Sequence, residues 1–160
     1  MSRISREVTA LIGGLMLLLG GAACSSADGN LQSVCSLPSA QWCAGDTLTY
    51  QFLIADPRTA YRVTLLTRHN HRYPYTTLDL QMILSTPSGY RRQQALHLPL
   101  ADRPGHWQGS GVGLIQTAFA ADAPVRFPHS DLCRIQLALP APTDTLVGIE
   151  SIAVQLTPVP

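Results

Sequence analysis

The chain has 160 residues and is nearly neutral, with eleven Lys plus Arg against ten Asp plus Glu, and 46% of it is hydrophobic. This balance gives no electrostatic reason to expect nucleic acid or an acidic polymer as a partner. The length suits a single domain with a real core, and twelve prolines and twelve glycines predict frequent turns in place of long helices.

The first 23 residues have the pattern of an export signal. Arg3 and Arg6 form a short basic region, and an uncharged, largely apolar run follows from residue 8 to residue 20. The run is too short to span a bilayer as a helix, but it has the usual length of a signal-peptide core. The pattern therefore predicts that residues 1 to 23 are a signal peptide that is removed on export.

Small residues before Cys24 predict that this cysteine carries lipid. Gly21, Ala22 and Ala23 can lie extended in a peptidase cleft, and the thiol after the cut can accept a diacylglycerol. Gly21 departs from the usual signal, which prefers Leu three residues before the cysteine. The alternative is an ordinary secretory signal cut nearby, which leaves Cys24 unmodified. We expect an extracytoplasmic protein held on a lipid membrane through acylated Cys24, because two acyl chains anchor firmly.

Three further cysteines follow, and export makes disulfide bonds available to them. Cys35 and Cys43 are the nearer pair and lie in an irregular polar stretch, where a bridge would close a short loop. A bridge between Cys43 and Cys133 remains open. A zinc site is the weaker hypothesis because no CxxC pair or HxxxH spacing accompanies these cysteines. We predict a Cys35–Cys43 disulfide and no metal site.

The pattern changes after the signal. Residues 24 to 41 are rich in Ser, Ala, Gly and Asn, which predicts a flexible tether behind the lipidated cysteine. From residue 42 to residue 160, apolar and polar residues alternate in short segments bounded by turn residues. The predicted core-facing residues of these strands are Leu48, Tyr50, Phe52 and Ile54; Tyr61, Val63 and Leu65; Leu78, Leu80, Met82 and Leu84; Leu96 and Leu98; Cys133, Ile135, Leu137 and Leu139; and Ile152, Val154 and Leu156. With a glycine-broken strand or pair of strands over residues 107 to 119, they predict an all-β, antiparallel β-sandwich of about seven or eight strands.

The densest polar cluster runs from residue 68 to residue 75 and is the predicted partner-docking surface. Its candidate contact residues are Arg68, His69, Arg72, Tyr73 and Tyr75. Arg and Tyr are enriched at interface hot spots, which favours docking. The two histidines of the cluster could bind a metal, but the flanking arginines would repel a cation. The arginines could instead grip a carboxylate or phosphate. We favour a solvated connection between two strands, with its aromatic residues folded over the sheet edge, over either kind of site.

Trp107 stands among four glycines, at positions 105, 109, 111 and 113. A structural plug that closes one end of the sandwich is the commoner role for such a residue, and a platform for ligand stacking is the alternative. Ser110 lacks the glycine spacing of a nucleophile elbow, and the chain shows no paired carboxylates, phosphate loop or Cys–His set. The sequence therefore predicts a protein that is not an enzyme and needs no cofactor.

Several short motifs, taken in order, resemble the gliding motility lipoprotein family GldH. They are residues 46 to 52; Asp56; Arg68-His69-Asn70 running into Tyr73-Pro74-Tyr75 and Leu78-x-Leu80; Asp102-x-x-Gly105-x-Trp107-x-Gly109-x-Gly111; and Leu146-x-Gly148-Ile149. The resemblance spans nearly the whole chain after the signal. Two departures are Cys133, where the family has Met before Arg134, and a long Pro-rich run from residue 139 to residue 145.

The resemblance implies a non-catalytic lipoprotein of the cell envelope, facing the periplasm on the outer or inner membrane. It also implies that the source is a bacterium that glides by surface adhesins and secretes through the type IX system. The protein partners would then belong to that gliding and secretion apparatus. The resemblance favours a role in assembling or stabilising the machinery over a role in generating force, because homologues also occur in bacteria that do not glide. The alternative function is a ligand-binding β-sandwich that holds glycan on Trp107 or on Tyr73 and Tyr75.

Overall fold

A computed structural model describes residues 29 to 121 and 123 to 160; the predicted signal peptide and Cys24 lie outside the described residues. The described residues form thirteen strands and one 3-10 turn over Pro38–Ala40. The strands are β1 Leu31–Ser36, β2 Gln41–Trp42, β3 Thr47–Ile54, β4 Ala60–Asn70, β5 Thr77–Ser85, β6 Arg91–Pro99, β7 Ala101–Arg103, β8 His106–Trp107, β9 Leu114–Ala120, β10 Val125–Arg126, β11 Asp131–Ala138, β12 Leu146–Val147 and β13 Ile149–Val159.

Two antiparallel sheets form the fold. The first has the order β1-β13-β4, with both β9 and β10 pairing with the far edge of β4, and the second has the order β3-β11-β5-β6. Two short ribbons, β2 with β12 and β7 with β8, lie outside these sheets. Eight of the strands have six or more residues. The predicted all-β antiparallel sandwich is therefore confirmed, and the predicted strand number corresponds to these eight.

The core forms between the facing sides of the two sheets, where the predicted apolar side chains lie. In β3, for example, Tyr50, Phe52 and Ile54 are buried while the residues between them are exposed. The hydroxyl of Tyr50 donates a hydrogen bond to the carbonyl oxygen of Ile152 on the first sheet at 2.9 Å. Burial raises the pKa of Tyr50, so this phenol stays a neutral donor. Full burial of each large apolar side chain contributes about 1.5–3 kcal/mol.

The predicted tether extends too far toward the C-terminus. Residues Leu31–Ser36 form the edge strand β1, which pairs with β13 from Leu31 opposite Leu156 to Ser36 opposite Ser151. The sequence hides this strand because two of its inward positions are Ser33 and Cys35, which are small and only weakly apolar. The folded domain thus begins before residue 42.

The structure does not contain the predicted Cys35–Cys43 bridge, because its three described cysteines are free thiols. Cys35 lies in β1, with its sulfur 3.7 Å from the carbonyl oxygen of Thr49. Cys43 is exposed just after β2, and Cys133 is buried in β11, where burial raises the pKa of its thiol to about 12. The stretch between the first two cysteines is not a polar loop but a strand end and a 3-10 turn that carry Leu37 into the core.

The strand connections define two ends of the sandwich. The proximal end has the loops over residues 55–59, 86–90 and 121–130, and the distal end has those over 37–46, 71–76, 100–113 and 139–148. The described chain begins at the proximal end, where Gly29 lies beside Pro158, and Pro158 pairs with Tyr61 near the start of β4. Because a strand rises about 3.3 Å per residue, the far end of β4 lies roughly 30 Å away.

Candidate functional site

A cleft at the distal end combines residues from two separate loops. It has a volume of about 230 Å³ and is lined by His71, Tyr73, Pro74, Tyr75, Thr76, Pro104, Gly105 and Trp107, which we call the aromatic cleft. Tyr75 is 55% exposed, Trp107 is half-buried and Tyr73 is buried. The cleft therefore presents aromatic surface on a packed base.

A tight turn after β4 positions the two tyrosines. The side-chain oxygen of Asn70 accepts a hydrogen bond from the backbone N–H of Arg72 at 2.9 Å, and its carbonyl oxygen accepts one from Tyr73 at 3.2 Å. The Tyr73 hydroxyl donates to the carbonyl oxygen of Thr77 at 2.7 Å, and burial raises the pKa of this phenol. Tyr75 then meets Tyr73 edge to face, with ring centroids 5.7 Å apart. The turn and the phenolic hydrogen bond thus fix the ring that supports Tyr75.

Gly148 allows a second segment to support this turn at very close range. Its φ is +100°, and an added Cβ would lie 2.3 Å from the backbone nitrogen of Tyr73. The Gly148 N–H donates to the carbonyl oxygen of Ala40, and its own carbonyl oxygen accepts from the N–H of Asn70, both at 2.8 Å. The Asn70 side-chain amide donates to Glu150 at 2.6 Å. Only glycine fits the approach and the backbone conformation together.

Trp107 reaches the cleft from the β7–β8 ribbon. The ribbon is joined to the loop beneath it by hydrogen bonds from Gln108 N–H to Leu100 and from Leu100 N–H to Thr76, each 2.8 Å long. The Trp107 ring packs on His69, with ring centroids 4.5 Å apart. Trp107 thus covers the end of the core and also lines the cleft.

His69 is fully buried between Trp107 and Tyr73. Its Nδ1 lies 3.3 Å from the carbonyl oxygen of Asn70, and its Nε2 has no hydrogen-bond partner in the described part of the chain. Burial lowers the pKa of the imidazole, assisted by the nearby His71, so the ring is held neutral. It supports the cleft from behind and offers no surface to a partner.

The structure divides the predicted docking residues. Arg68 is exposed, but it points away from His69, toward the outer face of the first sheet, where its strand neighbours are Ser151 and Gln116. Arg72 donates to the carbonyl oxygen of Ser39 at 3.1 Å and holds two loops together. His69 is fully buried and does not line the cleft, so its predicted contact with a partner is wrong, whereas the buried Tyr73 lines the base of the cleft. Of the five candidates, Tyr75 alone is both exposed and in the cleft.

The sequence indicated Trp107 as a candidate but gave no sign that it lies beside Tyr75, or that Pro104 and Gly105 line the same cleft. Arg68 to Asn70 are not the beginning of the predicted loop, because β4 continues through them. The period-two alternation of β4 was the available signal, since it places neighbouring residues 68 and 69 on opposite faces.

Other side-chain groups that could support chemistry are sparse. Across residues 29–121 and 123–160, no three His, Cys, Asp or Glu side chains gather in a way that could hold a metal ion. Two exposed pairs join His97 to Asp79 at 2.5 Å and His106 to Asp102 at 2.6 Å. In the same described ranges, no helix is long and apolar enough to cross a membrane.

Two solved structures overlap loosely with this fold. Dimeric latent PorU from Porphyromonas gingivalis is 14% identical, with a TM-score of 0.39 over 86% of this chain and 13% of that one. A family 35 carbohydrate binding module from Clostridium thermocellum is 10% identical, with a TM-score of 0.33 over 76% of this chain and 97% of that one. Likenesses at these scores carry no functional argument.

Sequence relatives are more informative. The gliding motility lipoprotein GldH of Flavobacterium johnsoniae is 27% identical over 70 residues, which cover 44% of this chain and 44% of that protein. The match therefore spans less than half the length of this relative. The profile of the GldH lipoprotein family matches residues 30–156, most of the chain. This chain belongs to the GldH lipoprotein family.

Proposed function

We propose that this protein is held on a membrane by acylated Cys24 and, without catalysis, supports the assembly or stability of the gliding motility and type IX secretion machinery by binding a protein partner. Membership of the GldH family supports the link to gliding motility. The observation that carries the docking role is the open aromatic cleft at the distal end.

The direction of the chain supports a role for that end. The described fold starts at the proximal end with Gly29, five residues after Cys24. Five residues reach at most about 18 Å when fully extended. A lipid on Cys24 therefore keeps the proximal end near the membrane, and the aromatic cleft faces away from it, where a partner can approach.

The chemistry of the cleft suits side-chain recognition. Tyr and Trp offer large, rigid surfaces at low entropic cost, and exposed aromatic anchors dominate many interfaces. The volume of about 230 Å³ is smaller than that of common small-molecule pockets. It fits one or two partner side chains inserted between Tyr75 and Trp107.

Replacing Tyr75 tests the proposal. We expect Tyr75→Ala to weaken co-purification with an envelope partner by roughly 30-fold, the equivalent of about 2 kcal/mol for a hot-spot residue. Gliding or type IX secretion should fall in the same cells, while protein level and Tm stay unchanged because the Tyr75 side chain is mostly exposed.

Val112→Ala is the matched control, since Val112 is fully exposed at the same end and does not line the cleft. It should leave partner recovery and motility intact. Normal recovery, motility and secretion in stable Tyr75→Ala would contradict the docking role of the cleft.

Glycan binding is the second candidate, favoured by one observation: Trp107 and two tyrosines line the same open cleft. Titration of the purified protein with envelope glycans distinguishes the two functions. Micromolar binding, about −8 kcal/mol, that disappears in Tyr75→Ala would favour glycan. Absence of binding at millimolar glycan, about −4 kcal/mol, would remove this candidate.

A further inference from the structure

Charge is divided unevenly between the two ends, although the chain as a whole is nearly neutral. In the described proximal half, arginines outnumber acids: Arg58, Arg62, Arg91, Arg92, Arg126 and Arg134 against Asp56 and Asp131. The distal half has the opposite balance: Arg68, Arg72 and Arg103 against Asp46, Asp79, Asp102, Asp144 and Glu150. Asp28 and Asp122 lie outside the described residues, and the proximal half still has six arginines against four acids when both are counted with it.

The two proximal carboxylates are already engaged. Asp56 pairs with the guanidinium of Arg58 at 3.2 Å, and Asp131 accepts backbone hydrogen bonds from Leu132 at 2.7 Å and Ser88 at 3.0 Å. Throughout the part of the chain that the structure describes, the five remaining proximal arginines have no carboxylate within 4.0 Å. Among the described residues, their positive charge therefore has no neighbouring carboxylate.

Exposed apolar side chains lie on the outer face of the second sheet near this end. Leu53 on β3 is 69% exposed and pairs directly with Leu132 on β11, which is 39% exposed. Beside them is a groove of about 310 Å³ lined by Ser85, Thr86, Pro87, Leu132 and Arg134. Apolar residues next to arginines are the composition that suits the boundary between lipid headgroups and acyl chains.

We propose that the proximal end rests on anionic lipid headgroups of the membrane that carries the lipid anchor. Leu53 and Leu132 reach the acyl boundary, and Arg134 and its neighbouring arginines contact phosphates. The inference rests on the proposed lipid on Cys24, since the short link to Gly29 holds this end within about 18 Å of the anchor. The link lets this end come within a Debye length of the headgroups, roughly 8–10 Å at physiological salt, where anionic headgroups attract an excess of arginines and added salt weakens the attraction.

Tryptophan fluorescence tests this placement in the full lipidated protein. Leu53→Trp and Val112→Trp each put a new indole at an exposed apolar position, one near the proximal end and one at the distal end. The proteins are reconstituted on phosphatidylcholine vesicles with or without phosphatidylglycerol, and brominated acyl chains serve as quenchers. The wild type, with buried Trp42 and half-buried Trp107, supplies the background.

On anionic vesicles, we expect the brominated acyl chains to quench the emission of the new tryptophan severalfold more in Leu53→Trp than in Val112→Trp. This quenching should shrink in neutral vesicles, at high salt, and when Arg91→Gln and Arg134→Gln are combined with Leu53→Trp. Equal quenching at both positions, or none at either in protein that floats with the vesicles, would overturn the proposal. If the protein does not float with the vesicles, both the lipid anchor and this proposal are wrong. Normal partner recovery by Tyr75→Ala would contradict the docking role of the cleft but would not affect the proposed contact with lipid.

Discussion

The two ends of the sandwich cap the same core in different ways. At the proximal end Phe127 packs against the rings of Tyr61 and Tyr90, but the turn glycine Gly89 has open space where a Cβ would lie. Among the described residues, five arginines of this end have no carboxylate within 4.0 Å. At the distal end Gly148 is pressed against the backbone of Tyr73, and His69, Tyr73 and Trp107 pack ring against ring. A rigid, shaped surface can select one partner, whereas an open charged surface suits a lipid layer that has no fixed shape.

The largest effect should come from Cys24→Ala. Removal of the acceptor thiol should abolish acyl labelling and release the protein from the membrane fraction, because the proximal arginines alone give only weak, salt-sensitive attachment. Radiolabelled palmitate and fractionation at high salt measure both results. A variant that still incorporates palmitate would show that the lipid is elsewhere.

Next in size is the effect of an added methyl group at the distal turn. Gly148→Ala should lower the free energy of unfolding by about 3–4 kcal/mol, since it combines strain at positive φ with overlap onto Tyr73. Chemical denaturation measures the loss.

Gly89→Ala is the matched control at the proximal end, where φ is +95° but no atom lies within 4 Å of the added Cβ. It should cost only about 1 kcal/mol, the strain alone. Equal losses in the two variants would mean that the distal end is no more tightly packed than the proximal one.

A smaller effect concerns pH. Burial holds the pKa of His69 below its ordinary value of 6.5, so the unfolded chain binds a proton that the folded protein excludes. The stability that this group contributes is fully present above pH 6.5 and is lost as pH falls through the folded pKa, by at most about 1.4 kcal/mol per pH unit.

Replacing the imidazole with a side chain that does not titrate isolates the contribution of His69 to the pH dependence of stability. His69→Gln should reduce the loss of stability between pH 7 and pH 5. Urea denaturation at each pH supplies the two curves. Parallel curves for the wild type and the variant would show that the distal histidine is not held neutral by its packing.

Local sequence predicted the sandwich well because β3, β5, β11 and β13 carry strong apolar alternation. It missed β1, whose inward positions Ser33 and Cys35 give a faint signal. The family resemblance followed from motif order and is confirmed by the match over residues 30–156.

The site was less accessible to local reasoning. The end of β4 looked like a polar loop because its buried His69 is covered by Trp107 from a distant ribbon. The cleft needs loops that only the fold brings together, so Tyr75 could be named but not separated from its buried neighbours. The uneven distribution of charge between the two ends could not be predicted from the sequence either. It becomes visible only when the direction of each strand assigns each arginine to an end.

Photo-crosslinking in living cells tests the division between the ends most directly. Benzoylphenylalanine is placed in turn at Tyr75 and at Leu53, both exposed. We predict a discrete protein adduct from position 75 that is lost when Trp107→Ala disrupts the cleft, and lipid adducts without a protein band from position 53. A protein adduct from position 53 with none from position 75 would contradict the account, because the partner would then bind the end assigned to the membrane.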